Sequence, residues 1–142
     1  MEIRKLTIDH YEELINLWRR AGLPYKPKGR DSKKAVTRQI SANPEYFLGA
    51  FENDRLVGAV VASSDGRKGW INRLAVDSDF RRRGIASALI AEAEKVLRDH
   101  GVKIFCALIE NENEASKKLF RKCGYIEHHD IIYFSKRESS NV

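Results

Sequence analysis

The sequence predicts an α/β chain of the α+β kind: a mixed, mostly antiparallel sheet of about six or seven strands, flanked on both faces by about four helices. Three observations carry this. Apolar, β-branched runs separated by short polar turns follow one another from Tyr46 to Val76, the pattern of hairpin-linked strands. A long helical stripe follows, with Ile85, Leu89, Ala93, Val96 and Leu97 at helical spacing and Gly101 as its stop. Val102 to Ile109 then returns to strand-like composition, and a helix crossing between two strands makes them parallel.

The elements follow in order. Glu2 to Thr7 sets Ile3 and Leu6 among charged residues and reads as a first strand. Asp9 with Glu12 reads as a capping box, opening a helix with Tyr11, Leu14, Ile15, Leu17 and Trp18 on its apolar stripe and Gly22 at its end. Leu23 to Arg30 holds two prolines and a glycine, so it is a loop. Ser32 to Ala42 is a basic second helix that Asn43-Pro44 stops. Tyr46 to Phe51 and Leu56 to Ser63 are strands around the turn Glu52-Asn53-Asp54-Arg55, and Asp65-Gly66-Arg67 turns into the strand Trp70 to Val76. After the Gly84 helix and the strand Val102 to Ile109, a short helix follows Asn113. Tyr125 to Lys136, apolar at Ile131, Ile132, Tyr133 and Phe134, is expected to close the sheet. Residues 1–137 make one domain, and 138–142 are a polar tail expected to fray.

Composition narrows the function classes. At 42% hydrophobic and 32% charged residues over 142 positions, the chain can bury a core but carries no run long enough to span a bilayer. Met1-Glu2-Ile3-Arg4-Lys5 lacks the apolar centre of a signal peptide. Cys106 and Cys123 have no metal-like spacing and read as reduced thiols, so a cytoplasmic protein with no metal is expected. The net charge of +6 suits either nucleic acid or a polyanionic small molecule. No helix-turn-helix or aromatic-rich RNA signature supports the first.

The chemistry lies where the strand Trp70 to Val76 turns into the helix after Gly84. A helix start exposes unpaired backbone N–H groups and about half a positive charge, which is an anion site. Arg81, Arg82 and Arg83 add three cations there, and Gly84 has no Cβ to hold a ligand off. A phosphate or pyrophosphate is the matching guest. The dinucleotide fingerprint fails, since its glycine positions hold Gly84, Ala86 and Leu89, and no P-loop occurs. What remains is R-x-x-G-x-A, at Arg81, Gly84 and Ala86.

That run resembles the acetyl-CoA signature Q/R-x-x-G-x-G/A of the GNAT N-acetyltransferases. A second block, Asn113-Glu114-Ala115-Ser116-Lys117-Lys118-Leu119-Phe120-Arg121-Lys122-Cys123-Gly124-Tyr125, resembles the family's N-x-x-A-x-x-L-Y-x-K-x-G-F. Asn113, Leu119, Lys122 and Gly124 match, and the strand Val102 to Ile109 lies between the blocks as the family has it. The resemblance is strong from about Phe47 to Tyr125. It implies the GNAT fold, with the cofactor in the gap between two splayed strands. It implies acetyl-CoA as cosubstrate: Leu74, Ala75 and Val76 pairing with pantetheine through their backbone, Arg81, Arg82, Arg83, Gly84, Ile85, Ala86 and Ser87 around the pyrophosphate, and Asn113 and Phe120 beside the pantetheine arm. A backbone N–H near Val76 would polarise the thioester.

The expected function is acetyl transfer to a primary amine, on a small molecule or a protein; the alternative is a non-catalytic acyl-CoA-binding module. Two departures from the family motivate that alternative. The position where some members carry a basic glutamate holds Leu108, which leaves Glu110 as the candidate general base, if the strand continues and a period of two keeps it on the same face. The position of the usual proton-donating tyrosine holds Phe120. Asp65 and His128 are weaker bases; Cys123, Ser116, Tyr125 or water could protonate the thiolate. Tyr25, on the acceptor-side loop, is either a substrate contact or a ring packed on the core. Asn72 and Arg73 lie near the reaction centre, facing unassigned. The amine acceptor is the expected partner, with no membrane; oligomeric state is open, a homodimer included.

Overall fold

A computed structural model describes all residues, 1–142. Five strands form one sheet, in the order β1 (Glu2–Lys5), β2 (Phe47–Glu52), β3 (Arg55–Ser64), β4 (Gly69–Val76) and β5 (Phe105–Cys106). The first three pairings are antiparallel and β4 pairs with β5 in parallel. Four helices accompany them: α1 (Tyr11–Arg20), α2 (Lys33–Ala42), α3 (Ile85–Asp99) and α4 (Glu114–Lys122). The β2–β3 turn has Asn53 and Asp54 both left-handed, at φ 48° and 65°, which a two-residue hairpin of this hand requires.

β3 is buried from Leu56 to Val60 because helices cover both faces of the sheet. On one face Ile85, Leu89, Ile90, Ala93 and Leu97 of α3 pack with Leu48, Val57, Val60 and Ile71. Gly58 permits this approach: a Cβ there would stand 3.0 Å from Ile85 Cγ2 and 3.1 Å from Leu89 Cδ1. On the other face Leu14, Ile15, Leu17 and Trp18 of α1, with Val36 of α2, pack against Phe47, Phe51, Leu56, Ala59 and Ala75. Each large side chain buried this way contributes about 1.5–3 kcal/mol.

Several expectations are corrected. The start of α1 is organised by residues 7 and 10 rather than 9 and 12: Thr7 N–H donates to His10 Nδ1 at 3.0 Å, and a 3-10 turn over Ile8–His10 precedes Tyr11. The strand expected over Val102 to Ile109 is only the two residues of β5, paired as Gly69 with Phe105 and Trp70 with Cys106. Tyr125 to Lys136 forms no strand, so the sheet has five strands instead of six or seven. Its would-be neighbour β5 is too short to offer a ladder, and Ile131, Ile132, Tyr133 and Phe134 stay 66–87% exposed. The tail, 138–142, lies beside the α1–α2 loop, where Lys26 Nζ donates to Ser140 O at 3.1 Å.

Candidate active site

The basic turn has the backbone of an anion site. Gly84 is left-handed at φ 78°, and so is Arg82 at φ 64°. The latter is a conformation that an L side chain adopts only where its surroundings hold it. Ile85 and Leu89 seat α3 in the core. The first intrahelical acceptance is Ala88 N–H to Gly84 O at 3.0 Å. The N–H groups of Ile85, Ala86 and Ser87 therefore have no partner in the chain. A Cβ at Gly84 would meet nothing within 4 Å, so the space above the turn is open. Free donors, open space and three arginines fit a pyrophosphate.

β4 supplies an unpaired edge beside this turn. Its pairing with β5 ends at Trp70, whereas β3 follows it to Val76. Asp77 N–H donates to Val57 O on the β3 side at 2.8 Å. Alternation along the strand turns the N–H groups of Leu74 and Val76 to the opposite, open edge. Arg81 Nε reaches Val76 O, 3.4 Å away. The gap between β4 and β5 is thus lined by free backbone.

Asp77 ties the turn to the body of the fold. Its Oδ1 accepts from Asp79 N–H at 3.1 Å, and its Oδ2 from Arg20 at 3.0 Å and Arg55 at 3.2 Å. The Asp79 N–H, and then the Arg20 and Arg55 guanidinium groups, hold its carboxyl below the usual carboxylate range against the opposing effect of burial.

The other wall comes from α4. Asn113 caps it, Oδ1 accepting from Ser116 N–H at 3.1 Å, which leaves its amide N–H₂ uncommitted. Cys123 Sγ lies 3.9 Å from Ser87 Oγ, so α4 stands against the first turn of α3. Phe120 is 6% exposed in the same cluster as Ile85 and Leu89, its ring edge-to-face with Tyr125 at 5.0 Å. Tyr125 donates to Glu94 Oε2 at 2.6 Å, and burial with this bond raises its hydroxyl far above the ordinary value. A phenol so held is a poor proton donor at neutral pH. Glu110 is exposed beyond the end of β5. The strand does not continue, so the period-of-two argument for Glu110 fails; its carbonyl instead accepts from Asn113 N–H at 2.9 Å.

A cleft of about 700 Å³ opens on the α1–α2 face at the inner half of β4. Arg73, left-handed at φ 54°, sits on its wall with its guanidinium 4.2 Å above the Trp18 ring and 3.4 Å from Asp31 Oδ2. Asp31 also accepts from Lys26 N–H at 2.8 Å, and its carbonyl accepts from Tyr11 Oη–H at 2.6 Å. Asn72 donates to Ser63 Oγ at 3.0 Å. Tyr25 is half-buried against the α1 cluster, with Arg19 5.0 Å over its ring, as a packed loop aromatic would be.

Comparison with known proteins decides the class. Residues 11–125 match the family model described as the acetyltransferase (GNAT) family. The chain belongs to the GNAT family. This GNAT chain is 36% identical over 138 residues to an acetyltransferase of Photorhabdus laumondii, covering 96% of one and 95% of the other. It is 33% identical over 137 residues to an acetyltransferase of Sodalis glossinidius, with 96% and 95% covered. Among solved structures it is similar to the PaiA N-acetyltransferase of Thermoplasma acidophilum in complex with coenzyme A (TM-score 0.75, 24% identity, 85% and 86% covered). It is likewise similar to AAC(6′)-Iy bound to a bisubstrate analogue (TM-score 0.77, 22% identity, 96% and 97% covered). These structural likenesses concern the fold. The GNAT chain is an acyltransferase whose family uses acetyl-CoA as cosubstrate. No helix is long and apolar enough to cross a membrane.

Within this GNAT chain, the expected cofactor residues Leu74 to Val76 and Arg81 to Ser87 fall on one continuous edge and turn. Asn113 and Phe120 lie on the facing helix, one at its cap and one in the core. Sequence reasoning did not single out Asp31 or Trp18. Trp18 reads as a core position on the α1 stripe, and Asp31 carries no motif; their meeting with Arg73 spans 42 and 55 positions of chain, beyond any local signal.

Proposed function

We propose that the chain is an acetyl-CoA-dependent N-acetyltransferase that acetylates a primary amine. The observation that carries this reading is the open β4 edge, with Leu74 and Val76 N–H groups free, running straight into the donor-rich turn before α3. A pantetheine arm pairs with such an edge as an added strand, while N–H groups from Arg82 to Ser87 hold the pyrophosphate. Asn113, with its amide N–H₂ free, reaches the arm from the facing helix.

In the transfer, the neutral amine nitrogen bonds to the thioester carbonyl carbon. Val76 N–H stabilises the oxygen as it gains charge. The C–S bond breaks, sulfur leaves as thiolate, and nitrogen loses a proton. A lysine-like amine at pH 7 needs about 4.6 kcal/mol to reach its neutral form. Glu110, whose backbone carbonyl accepts from Asn113 N–H at the start of α4, is the carboxylate we assign to carry that proton off through water. Phe120 has no proton to offer, and Tyr125 is committed to Glu94, which leaves Cys123, Ser116 or water to protonate the thiolate. A free thiol's pKa of about 8.5 makes this a modest demand.

Two substitutions test the reading. Gly84→Glu places a carboxylate and a strained left-handed backbone at the pyrophosphate turn, and calorimetry should show coenzyme A binding lost, with the circular dichroism spectrum kept; unchanged affinity removes the phosphate assignment. Glu110→Gln should lower kcat/KM at pH 7 by about 10²-fold or more, the lower reach of acid–base groups, and by less at high pH where the amine is already neutral. A variant as active as the parent at pH 7 returns Glu110 to the solvent-exposed rim.

A further inference from the structure

The cleft on the α1–α2 face is more cationic than acetylation of a bare amine requires. Arg30, Arg38 and Arg73 line it against a single carboxylate, Asp31. That carboxylate is already engaged by Arg73 at 3.4 Å and lies 4.0 Å from Arg30. Arg38 is exposed on the rim and pairs with no carboxylate. An ammonium entering this space meets net positive charge, so the amine alone would be repelled. An anionic group on the same molecule would be attracted.

Arg73 is also placed with unusual care. It takes a left-handed backbone at φ 54°, at the irregular stretch of the β3–β4 ladder, one residue before the open edge at Leu74. Backbone strain of that kind persists where the surroundings over-determine it. Here they do: Trp18 supports the guanidinium face and Asp31 holds one Nη. The wall is short of acceptors as well, since the buried Arg73 Nε–H and Trp18 Nε1–H donate to nothing in the chain.

We propose that the acceptor is an amine that also carries an oxyanion, a carboxylate or a phosphate, bound in this cleft by Arg73 together with Arg38 and Arg30. The proposal rests on the acetyltransferase reading above. Asp31 serves as the internal counter-ion that fixes Arg73, not as the acceptor's partner. The oxyanion seats on the α1–α2 side and the amine points along β4 towards Leu74 and Val76. A cleft of about 700 Å³ holds a molecule of amino-acid to short-peptide size.

The test is calorimetric binding to the coenzyme A-saturated protein, paired with steady-state acetylation. Four probes are used in matched pairs: N-acetylalanine against N-acetylalaninamide, and N-acetylphosphoethanolamine against N-acetylethanolamine. At least one anion should bind about tenfold or more tighter than its neutral partner, as a partly buried charge-assisted bond allows, and which one does identifies carboxylate or phosphate. Arg38→Gln should narrow that preference about two- to fivefold, the scale of an exposed charge. Arg73→Gln should nearly abolish it. Should Arg73→Gln fail to fold, the Arg38→Gln narrowing, with Arg30→Gln alongside it, still decides. Equal binding of anion and neutral partner, or a preference unmoved by Arg38→Gln and Arg30→Gln, overturns the proposal. A protein that acetylates alanine and alaninamide equally well, and phosphoethanolamine and ethanolamine equally well, keeps the acetyltransferase reading and loses the anion cleft. One that prefers the anions yet acetylates no amine keeps the cleft and loses the acetyltransferase reading.

Discussion

Phe120 shows how one position can carry a family's chemistry and a fold's packing at once. Its ring stands at the position that the family motif gives to a proton-donating tyrosine, but it is 6% exposed and meets Tyr125 edge-on. A hydroxyl added there enters an apolar cluster whose nearest phenol already donates to Glu94. Phe120→Tyr should therefore cost about 1–3 kcal/mol of stability, the penalty of an unpaired buried hydroxyl, with no rise in kcat. Melting temperature and kcat are measured together; a faster enzyme of unchanged stability would mean that the ring faces the sulfur. The presence of phenylalanine here was legible in the sequence, whereas its depth in the core was not, because Ile85 and Leu89 reach it from a different helix.

At the scale of elements, Asp77 is where the sheet hands over to the anion turn. It caps the 3-10 turn over Ser78–Phe80 and binds Arg20 of α1 and Arg55 of β3. Both arginines are about half exposed, so their ion pairs are weak, and the cap carries most of the effect. Asp77→Ala should lower stability at pH 7 by about 0.5–2 kcal/mol, the range for a lost cap. The folded carboxyl titrates below its unfolded value of about 3.9. Its charge-dependent contribution is thus full above about pH 4 and is lost as pH falls through the depressed folded pKa. The gap between parent and variant in urea melts should shrink below pH 4; a gap that widens there contradicts the assignment. The polar break after Val76 was visible from composition, but the two arginine partners lie 57 and 22 positions away.

Across the whole molecule, two cores pack on opposite faces of one sheet. Burial is concentrated before residue 125: Leu17, Leu89, Leu97 and Val57 are fully enclosed, whereas Ile132 and Phe134 are 77% and 87% exposed. Phe134→Ser should change stability by no more than about 0.5 kcal/mol, as at a surface site. Leu97→Ala, at 0% exposure, should cost about 2–5 kcal/mol. Thermal unfolding compares them directly, and a large loss in Phe134→Ser would show that the segment packs in solution.

The sequence by itself determined the elements whose signals are local: the hairpins from Phe47 to Val76, the α3 stripe, the glycine at its start and the two family blocks on either side of the gap. Periodicity and turn chemistry act over a few residues, so they survive without knowledge of the fold. Only the tertiary structure decided where the ladder beside β4 ends, since β5 stops after Cys106 although apolar residues continue to Ile109. It alone decided that Glu110 stands off the sheet and that Tyr125 to Lys136 goes unpaired. It alone set Arg73 over Trp18 beside Asp31. A strand exists only where another backbone meets its hydrogen bonds, and an ion pair only where the fold closes a long loop; neither condition is written in a short window of residues.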